Sequence, residues 1–251
     1  MCYNIIMEKR LDILVHNKGL AESREKAQRL IMAGKIKVGD RIEIKPGMKY
    51  KEDAKIEALE QDPYVGRGAY KMKGAKEDFE IDFKEKIIAD IGSSTGGFTD
   101  YALQNGAKKV YAIDVGTGQL DWKLRNDQRV VVMEKTNFRD INSFPEKVDL
   151  VMIDVSFVSV KRILKKIYEM EKIILKPESK IIALFKPQFE VEKELADKFK
   201  GIIKDDDIRQ KIFVQFREWC AQNQFEILNE KDSAIKGDKG NLERFFYIKL
   251  K

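Results

Sequence analysis

A glycine-rich turn between two apolar runs constrains the fold of this chain more than any other feature. The run Ile88–Asp90 predicts a short strand, the turn Gly92–Gly97 follows it, and Phe98–Gln104 predicts a helix. A second apolar run then ends at Asp114. Strand, turn, helix and strand make a βαβ unit, so we expect an α/β fold with this turn at the carboxyl edge of a parallel sheet.

The spacing of the turn discriminates between the ligands that such a unit binds. A dinucleotide site uses G-x-G-x-x-G to place a pyrophosphate at the helix N-terminus. Here the glycines follow G-x-x-x-G-G, and Asp90 stands two residues before the first of them. A carboxylate there repels a pyrophosphate and suits a sulfonium or an amino-acid cation, and the lysine of a Walker loop is missing. We therefore predict S-adenosylmethionine as the cofactor, the alternative being a turn that binds nothing.

The predicted cofactor-binding residues lie in this turn and at the ends of the neighbouring strands. A carboxylate at the end of the second strand of a βαβ unit bonds a ribose diol, which is the role predicted for Asp114. The residues predicted from the pattern are Asp90, Gly92, Ser94, Thr95, Gly96, Gly97, Phe98, Asp114 and Asp154.

Composition excludes several classes of chemistry. His16 is the single histidine and lies in the first amphipathic segment, so Ser-His-Asp, Cys-His and His-based metal sites are not expected in the second domain. Cys2 and Cys220 are the two cysteines, which indicates a reducing compartment. There is no apolar run of membrane-spanning length and no usual signal peptide, so we expect a cytoplasmic protein.

The N-terminal region predicts a small basic unit. Arg10–Asn17 and a segment capped by Ser23 have helical spacing, and the stretches at 36–38 and 42–44 alternate around a Gly-Asp turn. Between Glu8 and Lys37 there are eight lysines and arginines against four acids, in a chain of net charge +6. Such a surface suits phosphates, although it could serve packing or dimerisation instead. The predicted RNA-binding residues are Arg10, Lys18, Arg24, Lys26, Arg29, Lys35 and Arg67.

The rest of the chain alternates strands and helices. This alternation predicts a doubly wound, mostly parallel sheet, and the closing helix, strand, hairpin turn and strand predict an antiparallel end of that sheet. We expect domains at 1–61 and 67–251 with a linker at 62–66. The predicted elements are a helix at 70–82, strands at 130–133, 149–154 and 181–185, a helix at 158–174, a charged segment at 192–207, a helix through Trp219, and strands at 225–228 and 243–250.

Four ionisable residues are predicted to meet at the carboxyl edge of this sheet. Asp154 ends the fourth strand, Lys186 follows the fifth and Glu243 begins the seventh, while Lys71 enters from the start of the domain. A lysine can take a proton from a hydroxyl only when it is neutral, a form that burial and a second ammonium favour. We predict Lys186 as the base, Lys71 as the second ammonium, Asp154 as the partner of Lys186, and Glu243 as the partner of Lys71.

Other methyl-transfer chemistries fit these residues less well. Enzymes that methylate a base amino group usually have an acid or asparagine followed by two prolines and an aromatic residue. In this chain the corresponding residues, Asp154–Phe157, are DVSF and do not match that motif. Methylation at a pyrimidine carbon needs a cysteine nucleophile, and Cys220 falls within a predicted helix. Methylation of a hydroxyl remains.

Taken together, these motifs resemble the TlyA (hemolysin A) family. The resemblance spans an S4-like start and the motifs Arg67–Lys71, Asp90–Asp100, Asp154–Phe157, Phe185–Phe189 and Gly240–Glu243. It implies a small N-terminal α+β S4-like RNA-binding domain followed by a Rossmann-like (FtsJ-like) methyltransferase sheet.

The function that the resemblance implies is S-adenosylmethionine-dependent 2'-O-methylation of cytidine in the ribosomal RNA of ribosomal subunits. It implies a catalytic tetrad of Lys71, Asp154, Lys186 and Glu243, and it places Asn137 near the adenine edge of the cofactor. Ala69 departs from the glycine that the family commonly shows. The alternatives are an RNA-binding protein with an inactive methyltransferase domain and a membrane-active hemolysin, for which the sequence shows no lytic helix.

Overall fold

The computed structural model describes residues 8–59, 63–191, 199, 201–237 and 240–251. The chain divides into an N-terminal unit, Met1–Pro63, and a C-terminal unit, Tyr64–Lys251. The predicted linker residue Asp62 lies outside the described residues, and so do residues 192–198 and 200 of the charged segment predicted at 192–207. The end of that segment is helical, because Asp205 caps a helix that begins at Asp206.

The N-terminal unit has two helices and short strands around one apolar cluster. The predicted cap is confirmed, since the Ser23 hydroxyl accepts a hydrogen bond from the Lys26 amide at 3.1 Å. Buried Leu11, Leu14 and Ile31 join the helices in the cluster. The elements are β1 (Glu8–Arg10), α1 (Leu11–Asn17), α2 (Arg24–Met32), β2 (Ile36–Val38), β3 (Arg41–Glu43), β4 (Lys49–Lys51) and β5 (Ile56–Ala58), with β1 paired to β4 and the order β3-β2-β5 in the other sheet.

A buried carboxylate links the two helices of this unit. Asp12 is fully buried and accepts hydrogen bonds from Arg10 Nε and Nη2 and from Arg24 Nε, each at 3.0 Å, and from Gln28 Nε2 at 2.7 Å. The Arg10 guanidinium holds the pKa of Asp12 well below its usual range, against the opposing effect of burial. Arg10 and Arg24, predicted as RNA contacts, therefore also have a structural role.

We expect Asp12→Asn to destabilise the N-terminal unit by about 3 kcal/mol, since it leaves two arginines without their buried partner. Hydrogen exchange of the α1 and α2 amides in the full chain measures this. Asp40→Asn is the control, because Asp40 is exposed and its ion pair with Lys37 Nζ is long, at 3.7 Å. Equal amide protection in the two variants would contradict the structural role of Asp12.

In the described residues of the C-terminal unit, seven strands form one sheet in the order β11-β12-β10-β9-β6-β7-β8. Along this order, every pair of neighbouring strands between β10 and β8 is parallel. Strand β12 is antiparallel to both of its neighbours, β10 and β11. The predicted doubly wound sheet is confirmed. The strands are β6 (Ile87–Ile91), β7 (Lys109–Ile113), β8 (Val130–Met133), β9 (Val148–Ile153), β10 (Leu175–Phe185), β11 (Phe225–Asp232) and β12 (Arg244–Leu250).

Helices cover both faces of this sheet. Buried side chains of α3 and α4 form one cluster with Phe245 and Leu184, while those of α6 and α8 form another with Phe185 and Phe246. The helices are α3 (Gly68–Phe79), α4 (Gly97–Gln104), α5 (Trp122–Arg125), α6 (Val160–Glu169), α7 (Glu171–Ile174) and α8 (Asp206–Gln222), with 3₁₀ turns at Phe138–Asp140 and Pro187–Phe189.

Several element boundaries differ from the sequence prediction, among them the following three. The helix predicted at 158–174 is two helices, because Met170 (φ −106°, ψ 11°) leaves the helical conformation. The fifth strand of the sheet begins at Leu175 and shifts register before Lys180. The helix predicted at 70–82 ends at Phe79, since Glu80 is left-handed with φ 52°.

The order of the strands fixes where a ligand can enter. Chain connections run from β6 outward through β7 to β8, and then return to β9 on the other side of β6. A crevice forms at such a reversal, beyond the carboxyl ends of the strands. The glycine-rich turn follows β6 and therefore lies at this crevice.

Within the described ranges, no helix combines the length and apolar character that crossing a membrane requires. The same residues hold no group of three or more His, Cys, Asp or Glu side chains placed to bind a metal ion.

Candidate active site

Two adjoining cavities open at the carboxyl ends of the parallel strands. The first, called here the lysine cavity, has a volume of about 620 Å³ and is lined by the four residues Lys71, Asp154, Lys186 and Glu243. The second, the Asp114 cavity, has a volume of about 470 Å³. Both cavities are bordered by Gly92, Ser94, Asp154, Ser156 and Phe157, so they meet at the turn after β6.

The turn after β6 depends on glycine at close backbone approaches. Gly92 has φ +86°, and a Cβ there would lie 2.5 Å from the Asp154 carbonyl oxygen. A Cβ at Gly97 would lie 2.9 Å from the Ala69 amide nitrogen, where α4 meets α3. Side chains at these two positions would separate the elements that carry Asp154 and Lys71.

Backbone donors hold the Asp114 carboxylate in place. The Ser94 amide donates to Oδ2 at 2.8 Å and the Gly116 amide donates to Oδ1 at 2.7 Å. Asp114 and the predicted Asn137 both line the Asp114 cavity. Carboxylate oxygens have several lone pairs, so Asp114 retains acceptor capacity toward this cavity.

Asp90 and Gly96, predicted as cofactor contacts, line neither cavity. Asp90 is fully buried, and its Oδ2 accepts a 2.6 Å hydrogen bond from the Thr99 hydroxyl. In the described part of the chain, its Oδ1 has no hydrogen-bond partner. Burial raises the pKa of Asp90 to about 7, and the charges of Asp154 and Asp114 add to this effect. The structure therefore places this carboxylate behind the turn.

The raised pKa makes the stability of the chain depend on pH. A carboxyl group whose pKa is raised from 3.8 to about 7 on folding stabilises the folded state below pH 4 and loses this contribution as pH rises through 7. Asn cannot ionise. We expect the stability of Asp90→Asn relative to the unsubstituted chain to rise by up to about 4 kcal/mol between pH 4 and pH 8. Urea unfolding without added ligand measures it, and a constant difference would contradict the assignment.

The four residues predicted to meet do converge on the lysine cavity, and they form the predicted pairs. Lys71 Nζ donates to Glu243 Oε2 at 2.6 Å. Lys186 Nζ lies 2.6 Å from Asp154 Oδ1 in an ion pair, and it donates to the Ser156 hydroxyl at 2.9 Å. Each lysine is 9% exposed and Glu243 is 3% exposed. The site thus combines two cations and two anions in a largely dry setting, where breaking either pair costs about 3–5 kcal/mol.

Packing on both sides positions these charges. Phe185, the residue before Lys186, packs against Phe213, Phe216 and Phe246 at centroid distances of 5.7, 4.5 and 5.5 Å. At the other pair, a Cβ on Gly237 would overlap the Glu243 carboxylate. The rigid aromatic cluster and the close glycine leave the two ion pairs little freedom to rearrange.

A carboxylate that the sequence analysis missed joins the loop after β9 to the loop after β10. Glu190 accepts 2.6 Å hydrogen bonds from the Ser159 hydroxyl and from the Val160 amide, at the N-terminus of α6. Burial raises the pKa of Glu190, while its hydrogen bonds oppose this rise. Glu190 is about thirty residues from Ser159 in the chain, so no local sequence pattern indicates this contact.

Two aromatic rings at the cavity rim were also missed. Phe157 is 92% exposed and has φ +63°, which is strained for a residue other than glycine. The Phe189 ring lies 5.1 Å from it, and both residues line the lysine cavity. An exposed aromatic residue held in a strained conformation is a signal of function rather than of stability.

The remaining predicted and missed residues fall into clear groups. Lys18, Lys26 and Arg29 are exposed on the N-terminal unit, and Lys35 is half-buried. Arg67 lines the lysine cavity and donates to the Lys236 carbonyl at 3.0 Å. Of the predicted cofactor residues, Thr95, Gly97 and Phe98 also line the lysine cavity.

Other residues that line the two cavities were not predicted from the sequence. They include Ser93, Ser156, Gln188, Gly237 and Asn241 in the lysine cavity, and Val115, Gln119, Thr136, Phe138 and Arg139 in the Asp114 cavity.

Cys220 is no candidate nucleophile. The thiol is 1% exposed within α8, and burial raises its pKa to about 12. A thiol in this state is neither accessible nor ionised at neutral pH.

Comparison with known proteins agrees with this geometry. Residues 64–250 match the model of the FtsJ-like methyltransferase family, and residues 9–56 match the S4 domain. The chain belongs to the TlyA (hemolysin A) family of FtsJ-like methyltransferases.

Relatives cover nearly all of the chain. Hemolysin A of Brachyspira hyodysenteriae is 43% identical over 93% of this chain and 97% of the relative. The 16S/23S rRNA (cytidine-2'-O)-methyltransferase TlyA of Mycobacterium tuberculosis is 35% identical over 96% of this chain and 89% of the relative. A solved structure from Streptococcus thermophilus has a TM-score of 0.71 and 38% identity, over 98% of this chain and 89% of that chain.

Proposed function

We propose that this methyltransferase transfers a methyl group from S-adenosylmethionine to the 2'-hydroxyl of a cytidine in ribosomal RNA, with Lys186 as the general base. The observation that carries the proposal is the pairing of Lys186 with Asp154 and of Lys71 with Glu243 in one cavity. That cavity adjoins a second one with a carboxylate suited to a ribose. The activity for which the Mycobacterium tuberculosis relative is named supports the substrate.

The residues of the Asp114 cavity fit the nucleoside part of this cofactor. Asp114 is fixed by two amide donors and can accept from a ribose diol, while Asn137 offers an amide to an adenine edge. Gly92 borders both cavities, which adjoin at this turn. When bound there, S-adenosylmethionine supplies an electrophilic methyl group.

Lys186 is placed to receive the proton of the attacking hydroxyl. Its Nζ is directed by Asp154 and by the Ser156 hydroxyl, and its stem is buried at the end of β10. A ribose in the lysine cavity would give its 2'-hydroxyl proton to Nζ of Lys186 as its oxygen bonds to the methyl carbon. The bond between that carbon and the sulfonium sulfur would break, so the sulfur would leave as a neutral thioether and the proton would end on Lys186. This step needs the neutral amine of Lys186, since only that form can accept a proton.

Lys71 and Glu243 position the hydroxyl oxygen. Lys71 Nζ lines the same cavity and uses one of its three donors on Glu243, so it has donors left for a ribose oxygen. Glu243 keeps this ammonium in place and balances its charge. The main source of rate is then the alignment of the hydroxyl by a rigid, dry site.

The rim and the N-terminal unit supply surfaces for RNA. Phe157 and Phe189 present aromatic faces on which an unstacked base can lie, an interaction worth about 1–3 kcal/mol per base. The exposed cations Lys18, Lys26 and Arg29 of the S4 domain can neutralise backbone phosphates. These contacts favour a single-stranded or flipped nucleotide in structured RNA.

The test is transfer of a labelled methyl group to unmodified ribosomal subunits, mapped as alkali-resistant 2'-O-methyl linkages. We expect Lys186→Ala to lose about 100-fold or more of this activity, because general-base catalysis contributes about 10²–10⁴-fold. Cofactor affinity in calorimetry should remain. Lys180→Ala in the same strand is the matched control, since Lys180 pairs with Glu178 and lines neither cavity.

The outcomes separate the alternatives. Unchanged activity of Lys186→Ala would overturn the role of the base. Cofactor binding without transfer to any subunit by the unsubstituted protein would overturn the proposed substrate. Lysis of red cells by the purified protein without a methyl donor would favour the membrane-active alternative.

A further inference from the structure

The exposed side of α6 carries positive charge that the stability of the helix does not explain. Residues 161–166 include Lys161, Arg162, Lys165 and Lys166, and no carboxylate stands in the helix before Glu169. Cations near the amino end oppose the helix dipole. Like charges three or four residues apart also repel one another, by about 0.2–0.5 kcal/mol for each pair. The distribution of charge along α6 is therefore the opposite of the one that would stabilise the helix.

Only part of this charge is compensated within the fold. Lys161 acts on the Glu190 carboxylate that caps the helix, and it lowers the pKa of that group. Lys166 Nζ donates to Asn142 Oδ1 at 3.4 Å. The side chains of Arg162 and Lys165 are exposed, and they form no ion pair or hydrogen bond with the part of the chain that the structure describes. A local rule broken without a structural gain points to a function.

The position of α6 connects this charge to the active site. The helix begins three residues after Phe157, which borders both cavities, and Ile163 of its second turn lines the Asp114 cavity. Arg139, exposed on the 3₁₀ turn that packs against α6, lines the same cavity. Arg162 and Lys165 are separated by about 4.5 Å along the helix axis. A cationic surface thus leads from the cavity rim along one helix.

We propose that Arg162 and Lys165, called here the α6 cations, bind the phosphate backbone of the substrate RNA beside the target nucleotide. The inference rests on the proposed function and adds to it a second RNA-binding surface, on the methyltransferase domain itself. Contacts of this kind position the strand without reading its sequence. They also relieve the repulsion between the two side chains.

The same surface does not suit a membrane. A helix that lies in a lipid interface needs a free apolar face. The apolar side chains of α6, which are Val160, Ile163, Leu164 and Ile167, are all buried in the core. Besides one tyrosine, Tyr168, the exposed side offers mainly charged side chains, so RNA is the partner that its chemistry favours.

The experiment compares two double variants with the same change of charge. Arg162→Gln/Lys165→Gln removes the α6 cations. Lys84→Gln/Lys108→Gln is the control. Lys84 and Lys108 are exposed just before β6 and β7, at the amino ends of the parallel strands and therefore away from the cavities. Methyl transfer to unmodified ribosomal subunits gives kcat and KM, and binding to the same subunits is measured from 50 to 300 mM salt.

We expect the α6 variant to raise KM about 10-fold with kcat within about twofold. The logarithm of the association constant for subunits falls linearly with the logarithm of the salt concentration. The magnitude of this slope should fall by about 1–2 in the α6 variant, since each phosphate contact contributes about 0.7–0.9. The control variant should match the unsubstituted protein in both measurements.

Three results would overturn the inference. They are an α6 variant that behaves like the control, a loss confined to kcat, and a loss of binding to phosphatidylglycerol vesicles with RNA binding unchanged. If the unsubstituted protein binds subunits but transfers no methyl group, the proposed function fails, while the salt slopes of the two variants still decide the role of the α6 cations.

Discussion

The close approach of β6 to the end of β9 is the constraint on which the rest of the site depends. Gly92 lies against the Asp154 carbonyl with room for no side chain. This contact brings Asp154 to the border of both cavities, and Asp154 in turn directs Lys186. A parallel sheet that reverses its strand order creates the crevice, and one glycine lets the two sides of that crevice meet.

The four paired charges depend on the apolar packing around them rather than the reverse. Each ion pair has lost most of its water, and such a pair adds little net stability. The clusters on the two faces of the sheet, with Phe185 and Phe246 on one side and Phe98 and Phe245 on the other, supply the stability that keeps the charges together. Burying these charges suits the proposed function, in which the site takes a proton from a weakly acidic hydroxyl.

Glu190 links the chemistry to the surface beyond it. Glu190 lies four residues after Lys186 in the chain, and its carboxylate caps α6, the helix that carries the α6 cations. A strand of RNA held along α6 would therefore contact a helix that is hydrogen-bonded to Glu190, in the segment after Lys186. The strained and exposed Phe157 stands in the loop after β9, and its ring lies 5.1 Å from that of Phe189. In the proposed function, this loop would contact both the substrate and the segment that carries the base.

The sequence by itself determined the βαβ unit, the glycine-rich turn, and the positions of Asp154 and Lys186 at the carboxyl ends of two parallel strands. These follow from local periodicity, from turn chemistry, and from the rule that parallel strands share a carboxyl edge. Only the tertiary structure decided that Asp90 lies behind the turn, that Arg10 and Arg24 share the buried Asp12, and that Glu190 caps α6. The physical reason is that burial and charge pairing depend on contacts between residues far apart in the chain, on which local sequence patterns carry no information.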